Sequence, residues 1–177
     1  TVTFPIIGGA YDKTRILAWT TTPWTLPTNF ALAVGPKIEY AIVPAGPNGA
    51  ADGGDSTTKY LIATSLLGNY SKDLGYESPE DAIVAIETQV FGKDLAGIRY
   101  ERIFDYYSDA TKFDTKNAWQ VLVGDYVADN EGTGIVHQAP AYGEDDQKLC
   151  ELAGIPVYVS VNERGQFNSV ITDFEGQ

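Results

Sequence analysis

Gly132-Thr133-Gly134-Ile135-Val136-His137-Gln138-Ala139-Pro140-Ala141-Tyr142-Gly143-Glu144-Asp145-Asp146 carries three element signals in succession. Gly132 and Gly134 make a tight turn. The apolar run Ile135 to Gln138 reads as a short strand. Pro140 and Gly143 break that strand, and the three acids that follow suit the first turn of a helix, where the N-terminal dipole favours negative charge. Leu149, Leu152 and Ala153 give this helix, from about Glu144 to Ala153, an apolar side; Gly154 ends it and Pro156 prevents its continuation. The order turn, strand, loop, helix makes the fold a mixture of β and α structure. It also sets His137 and Asp146, nine residues apart, on opposite sides of one loop, where they can face a common pocket.

Outward from this stretch, short apolar runs broken by Gly, Pro and Asn dominate. Arg15 to Thr20, Phe30 to Val34, Ile38 to Pro44, Tyr60 to Thr64, Trp119 to Val123 and Val157 to Val161 read as further strands. Asn162-Glu163-Arg164-Gly165 reads as a hairpin connection leading back through Phe167. Ser65 to Leu74 places Leu66, Leu67, Tyr70 and Leu74 on one helical face, with Gly75 as a stop. Ala82 to Phe91 is divided: Ser78-Pro79-Glu80-Asp81 resembles a helix start, whereas Ile83, Val84, Ile86, Thr88 and Val90 favour a strand, which is the preferred reading. Pro44 to Thr58 is too rich in turn residues to be anything but a mobile loop. No repeat or linker divides the chain. The expectation is one α+β domain over residues 1–177, centred on a β-barrel with a few peripheral helices.

Composition narrows the function. A chain of 177 residues with 44% hydrophobic content can bury a core without staples. Its single cysteine, Cys150, cannot close an internal disulfide, and with one histidine it cannot build a zinc site from those ligands alone. A reducing, cytoplasmic setting follows as the expectation. Cys150 sits in the amphipathic helix, where a buried inert thiol is the default. No apolar run spans a membrane, and Thr1 to Ala10 lacks the pattern of a signal peptide. The net charge of −12 argues against a protein that grips a long nucleic-acid backbone.

A second segment carries chemistry: Trp19-Thr20-Thr21-Thr22-Pro23-Trp24-Thr25-Leu26-Pro27-Thr28-Asn29. Pro23 ends the preceding strand and biases Thr22 to an extended shape. Such a turn presents several hydroxyls, which donate and accept and so can hold a water beside a polar substrate atom. The plainer reading is a β-rich turn with its tryptophans in the core, and composition alone favours it. Likewise the acids at 144–146 can be helix capping only, and a single histidine at a strand end is usually a hydrogen-bonded structural residue. No Gly-x-Ser-x-Gly elbow, phosphate-binding loop or dinucleotide fingerprint is present.

Together, the two segments resemble the editing domain inserted in class I isoleucyl-tRNA synthetases. Trp19 to Asn29 is similar to that family's threonine-rich motif and Gly132 to Asp146 to its second motif, in the expected order. Gly92-Lys93-Asp94-Leu95-Ala96-Gly97-Ile98-Arg99-Tyr100 also resembles the family, so the likeness covers most of the chain. The related valyl and leucyl enzymes carry Thr-Thr-Arg-Pro where this chain has Thr20-Thr21-Thr22-Pro23, and they lack a histidine at the position of His137. The wording from Ala139 to Asp146 is closer to eukaryotic cytosolic enzymes than to many bacterial ones. The family's ATP-binding signatures, His-Ile-Gly-His and Lys-Met-Ser-Lys-Ser, are absent, so this stretch is not expected to activate amino acids.

The resemblance implies hydrolysis of valine wrongly esterified to isoleucine tRNA, with no cofactor and no metal. Thr21, Thr22 and Asp146 form the implied catalytic set, with Asp146 holding the α-ammonium and the threonines the carbonyl region and attacking water. Thr20, Trp24, Asn29, His137, Ala139 and Tyr142 form the implied substrate-binding set. Among these, His137 walls off isoleucine's extra carbon, Trp24 and Asn29 take the terminal adenosine, and Tyr142 adds a hydroxyl near the pocket. The implied partners are the tRNA 3′ end and the remainder of a parent synthetase, with a monomer expected when the domain is excised. Contact with the flexible 3′ end alone reconciles tRNA with the acidic charge.

Overall fold

The computed structural model describes residues 1–177. Eight short strands form two sheets. β1 (Val2–Pro5), β2 (Arg15–Ala18), β4 (Glu39–Pro44), β5 (Lys59–Ala63) and β6 (Thr88–Phe91) make a five-stranded sheet in the order β1-β2-β5-β4-β6. β3 (Ala31–Val34), β7 (Gln120–Val123) and β8 (Ile135–Gln138) make a three-stranded sheet with β3 in the centre. Central position explains composition: all four residues of β3 are buried small or branched apolar side chains. β3 pairs parallel with β7 and antiparallel with β8, in a register that sets Leu32 opposite both Val121 and His137.

The two sheets share a core that includes Phe4, Ile16, Leu32, Tyr40, Leu61 and Tyr100, so the α+β class holds. The barrel is not continuous. The sheets meet through single bridges, Trp19 with Val136 and Ile6 with Tyr100, rather than through an unbroken ladder. The Trp19 bridge matters most, because it launches the threonine-rich turn directly beside the strand that carries His137. Gly134 opens β8 at φ +71°, and a Cβ there would lie 2.5 Å from the Cβ of Ala63. Its carbonyl accepts the hydroxyl of the buried Tyr40 at 2.6 Å, so close approach, and not turn geometry alone, requires glycine there.

Several elements depart from the sequence reading. The divided segment contains both structures: α1 (Pro79–Val84), capped by the Ser78 side chain accepting from Asp81 N–H, and then β6. Val84 is 86% exposed, so its strand-like side chain never enters a core. Ser65 to Leu74 is a 3-10 segment, Thr64–Tyr70, followed by turns. Val157 to Val161 has strand propensity but no neighbouring ladder; only Val161 bridges, to Phe167, across the expected turn at 162–165. β1 went unread. Of the expected loop from 44 to 58, Pro44 closes β4 and residues 45–58 have no regular structure, yet the loop is pinned through Asp52, which accepts from Arg15 at 2.6 Å and from the Tyr60 hydroxyl at 2.5 Å. The predicted second helix is α2 (Glu144–Leu152). No helix is long and apolar enough to cross a membrane.

Candidate active site

Both motifs line one open cleft of about 410 Å³. Thr20, Thr21, Thr22 and Trp24 come from the first, and His137, Ala139, Tyr142 and Asp146 from the second. In the first motif β2 stops at Ala18, short of the expected Thr20, and Thr22 takes φ −124° and ψ 67° rather than the extended shape expected before Pro23; the chain then winds into a 3-10 turn, Pro23–Thr28, with proline at its start. The Thr22 N–H donates to Thr20 Oγ1 at 3.0 Å, and the Thr20 and Thr22 hydroxyls stand 3.3 Å apart. Thr21 and Thr22 are exposed, so the turn presents hydroxyls to solvent at the cleft rim.

His137 is only 7% exposed and lies within a directed chain of hydrogen bonds. Its Nδ1 is 2.8 Å from Asn29 Nδ2, and its Nε2 is 2.9 Å from Thr25 Oγ1. Asn29 Nδ2 also donates to the Ala31 carbonyl at 3.0 Å, and Asn29 Oδ1 accepts the Tyr100 hydroxyl at 2.7 Å. A carbonyl can only accept, so the amide nitrogen must point this way and His137 Nδ1 must be the acceptor. The imidazole proton therefore resides on Nε2 and goes to Thr25 Oγ1, whose own proton goes to the Thr22 carbonyl at 2.9 Å. Burial lowers the His137 pKa to about 4, so the ring is neutral near pH 7. With both nitrogens committed, His137 offers a flat apolar face to the cleft and no free base.

Asp146 has the opposite character. It sits in the first turn of α2, half-buried, with Oδ2 accepting the Ala139 N–H at 2.8 Å. Oδ1 accepts from no other residue, and burial raises the carboxyl above its ordinary range. Gly143 makes room for it: a Cβ there would stand 2.9 Å from Asp146 Cγ. Ala139 thus lines the cleft and also orients the carboxylate.

Aromatic rings flank the opening. Trp19 and Trp24 are 40% and 45% exposed, and the Trp24 ring meets Tyr142 edge-to-face at 4.8 Å. Two predicted details need correction. The Tyr142 hydroxyl is not free for a ligand, because it pairs with Ser160 Oγ and accepts the Ser160 N–H, each at 2.8 Å. Asn29 is buried behind His137 and does not line the cleft. Sequence reasoning assigned no role to Thr25, although it stands inside the quoted motif. It also passed over Tyr126, Val127 and Ala128, which line the far side without any motif to mark them. Cys150 is buried in α2, where burial pushes its thiol up to about 12.

No family model matches the chain. Among solved structures, the editing domain of the P. knowlesi cytosolic leucyl-tRNA synthetase aligns with a TM-score of 0.56 at 21% identity, over 76% of this chain and 47% of that one. The P. falciparum cytosolic counterpart with insertions 1 and 3 deleted aligns with a TM-score of 0.56 at 14% identity, over 81% of this chain and 53% of that one. The fold is that of the aminoacyl-tRNA synthetase editing domains. By sequence, the chain is 54% identical over 187 residues to the isoleucine–tRNA ligase of Leifsonia xyli subsp. xyli (strain CTCB07), covering 99% of this chain and 17% of that enzyme. It is 43% identical to that of Tropheryma whipplei (strain Twist), covering 99% and 16%, and 41% identical to that of Rickettsia akari (strain Hartford), covering 96% and 14%. Over nearly its whole length the chain is similar to a segment of isoleucine–tRNA ligases, and it spans about a sixth of the curated relatives it matches. These three relatives are bacterial, which the eukaryotic cytosolic likeness read from the second motif did not lead one to expect.

Proposed function

We propose that residues 1–177 form an editing domain, without an aminoacylation site, that hydrolyses valyl-tRNA(Ile) and excludes the isoleucyl ester by size. The observation that carries this reading is the cleft itself. A carboxylate with one uncommitted oxygen, Asp146, shares it with the threonine turn and the closed imidazole wall. Oδ1 of Asp146 takes the α-ammonium by a charge-assisted hydrogen bond. Thr21 and Thr22 hold the water and the carbonyl oxygen. Water adds to the ester carbonyl carbon, the bond to the terminal ribose oxygen breaks, and that oxygen takes a proton as valine leaves. An aminoacyl ester is already activated, so positioning and oxyanion stabilisation suffice.

Selectivity needs a second sieve because one methylene is worth only ~1–3 kcal/mol in a hydrophobic pocket, a magnitude for which the isoleucyl-tRNA synthetases are themselves the standard illustration. His137 supplies a suitable barrier, since a ring bonded at both nitrogens cannot swing aside without breaking two buried hydrogen bonds. The exposed Trp24 indole offers a stacking face to the terminal adenosine. The rest of a parent synthetase holds the tRNA body in the cytoplasm, which allows this module to remain acidic and, alone, monomeric. The test is deacylation of valyl-tRNA(Ile) beside isoleucyl-tRNA(Ile) at high protein concentration, with wild type and Asp146→Ala. Valine release alone, absent in the variant, is expected. Equal release of both amino acids would remove the size filter, and no release at all would remove the hydrolytic role.

A further inference from the structure

Asn29 is held from three directions. Its Oδ1 accepts from the buried Tyr100, its Nδ2 donates to the Ala31 carbonyl, and its own backbone carbonyl accepts the Trp119 indole N–H at 3.1 Å. Trp119 in turn occupies a left-handed backbone conformation, φ +59°, which a bulky residue keeps only where its surroundings over-determine it. Its surroundings do so: its N–H donates to the Phe30 carbonyl, its carbonyl accepts from Tyr100 N–H, and the Arg102 guanidinium packs 5.0 Å from its ring centre. A side chain fixed this firmly, and set behind the cleft wall, is not arranged to reach a nucleoside.

We propose that Asn29 is a positioning residue: it fixes His137 as the Nε2–H tautomer and thereby directs the Thr25 hydroxyl proton onto the Thr22 carbonyl. The inference rests on the editing role proposed for the cleft. The chain of donors runs one way, from Tyr100 to Asn29, to His137, to Thr25, to Thr22. With the other tautomer, the imidazole would present a bare Nε2, the Thr25 hydroxyl proton would turn towards it, and the Thr22 carbonyl would keep only the Thr25 backbone N–H, at 3.0 Å, of its two donors. The rim of the threonine turn is therefore held in place from the core, through a ring that also forms the size barrier.

His137 is the only histidine, so its two ring nitrogens give the only imidazole signals of a ¹⁵N-labelled chain. Wild type at pH 7 is expected to show Nδ1 unprotonated and Nε2 protonated. Asn29→Asp replaces the amide donor with an acceptor, moves the ring proton to Nδ1, and lowers kcat/KM for the valyl ester about tenfold, the size of one buried hydrogen bond. Should that variant fail to fold, Tyr100→Phe loosens the amide from one side and gives a mixed tautomer signal. A wild-type proton on Nδ1, an Asn29→Asp ring still protonated at Nε2, or an unmixed signal in Tyr100→Phe overturns the assignment. A raised KM with the tautomer unchanged also overturns it, and points instead to adenosine contact. Wild type that cleaves neither ester defeats the editing role, while the nitrogen signals still decide what Asn29 does.

Discussion

His137 and Asp146 face one cleft from opposite ends of the loop between β8 and α2, yet their bonding is opposite. Every valence of the imidazole is spent inside the protein, on Asn29 and Thr25. The carboxylate spends one oxygen on Ala139 and keeps the other. The difference separates shape from action. A saturated buried group is a wall, because moving it leaves donors and acceptors orphaned. A half-saturated group beside open space is a hand held out to a ligand. Burial also pulls their protonation in opposite senses: it disfavours imidazolium at His137 and carboxylate at Asp146, so both groups lean neutral, one losing a proton and the other keeping it.

The largest effect that sharpens this contrast is on activity at Asp146. Asp146→Asn keeps an oxygen for the Ala139 N–H but removes the charge, so deacylation should fall on the order of a hundredfold or more, the usual result of removing one partner of a buried charge pair. Stability should not follow. A carboxyl whose folded pKa is raised binds its proton more tightly when folded, so its contribution is greatest in acid and is lost as pH rises through that pKa. At pH 7 the variant should unfold at or above the wild-type temperature. A thermal midpoint well below wild type would make Asp146 a structural acid.

Next comes the wall. The His137 pKa is depressed from 6.5 to about 4, so the folded state binds fewer protons than the unfolded chain between those values. The associated stability is complete above pH 6.5 and is lost as pH falls towards 4, amounting to roughly 3 kcal/mol. Urea unfolding across that window, with the single imidazole followed by NMR, measures both quantities. An imidazole that titrates near 6.5 in the folded protein would mean that the ring is open to water. The smallest effect belongs to the exposed rim. Trp24→Ala should weaken binding of a 3′-terminal adenosine analogue by ~1–3 kcal/mol, the range for one stacked base, and leave the His137 tautomer untouched.

Much of the site was legible because both motifs are long and local, and each keeps its chemistry within a few residues. Their convergence was legible only through likeness to a family; the structure brings it about by the Trp19 bridge to Val136, which no pattern in either segment announces. Asn29 is hard to place from sequence for the same reason. Its polar side chain reads as available, but its partners Tyr100 and His137 stand 71 and 108 positions away. Tyr142 reads as a free hydroxyl until Ser160 closes on it. In the fold, strands with a buried centre announced themselves through apolar runs, as β3 and β8 did. Val157 to Val161 shows the limit: propensity marks a segment fit for a ladder, and pairing depends on whether another strand arrives.

Gly134 has a consequence for how sequences with this fold drift. Any replacement meets two penalties at once, a left-handed backbone and a collision with Ala63. Shrinking residue 63 to glycine would relieve only the second, and at the expense of a buried methyl in the shared core. No single accepted substitution leads away from glycine there, and no compensating pair does so without loss. Chains that diverge widely elsewhere in the two sheets should therefore meet again at this position, which makes it a better marker for aligning distant relatives than the histidine three residues on.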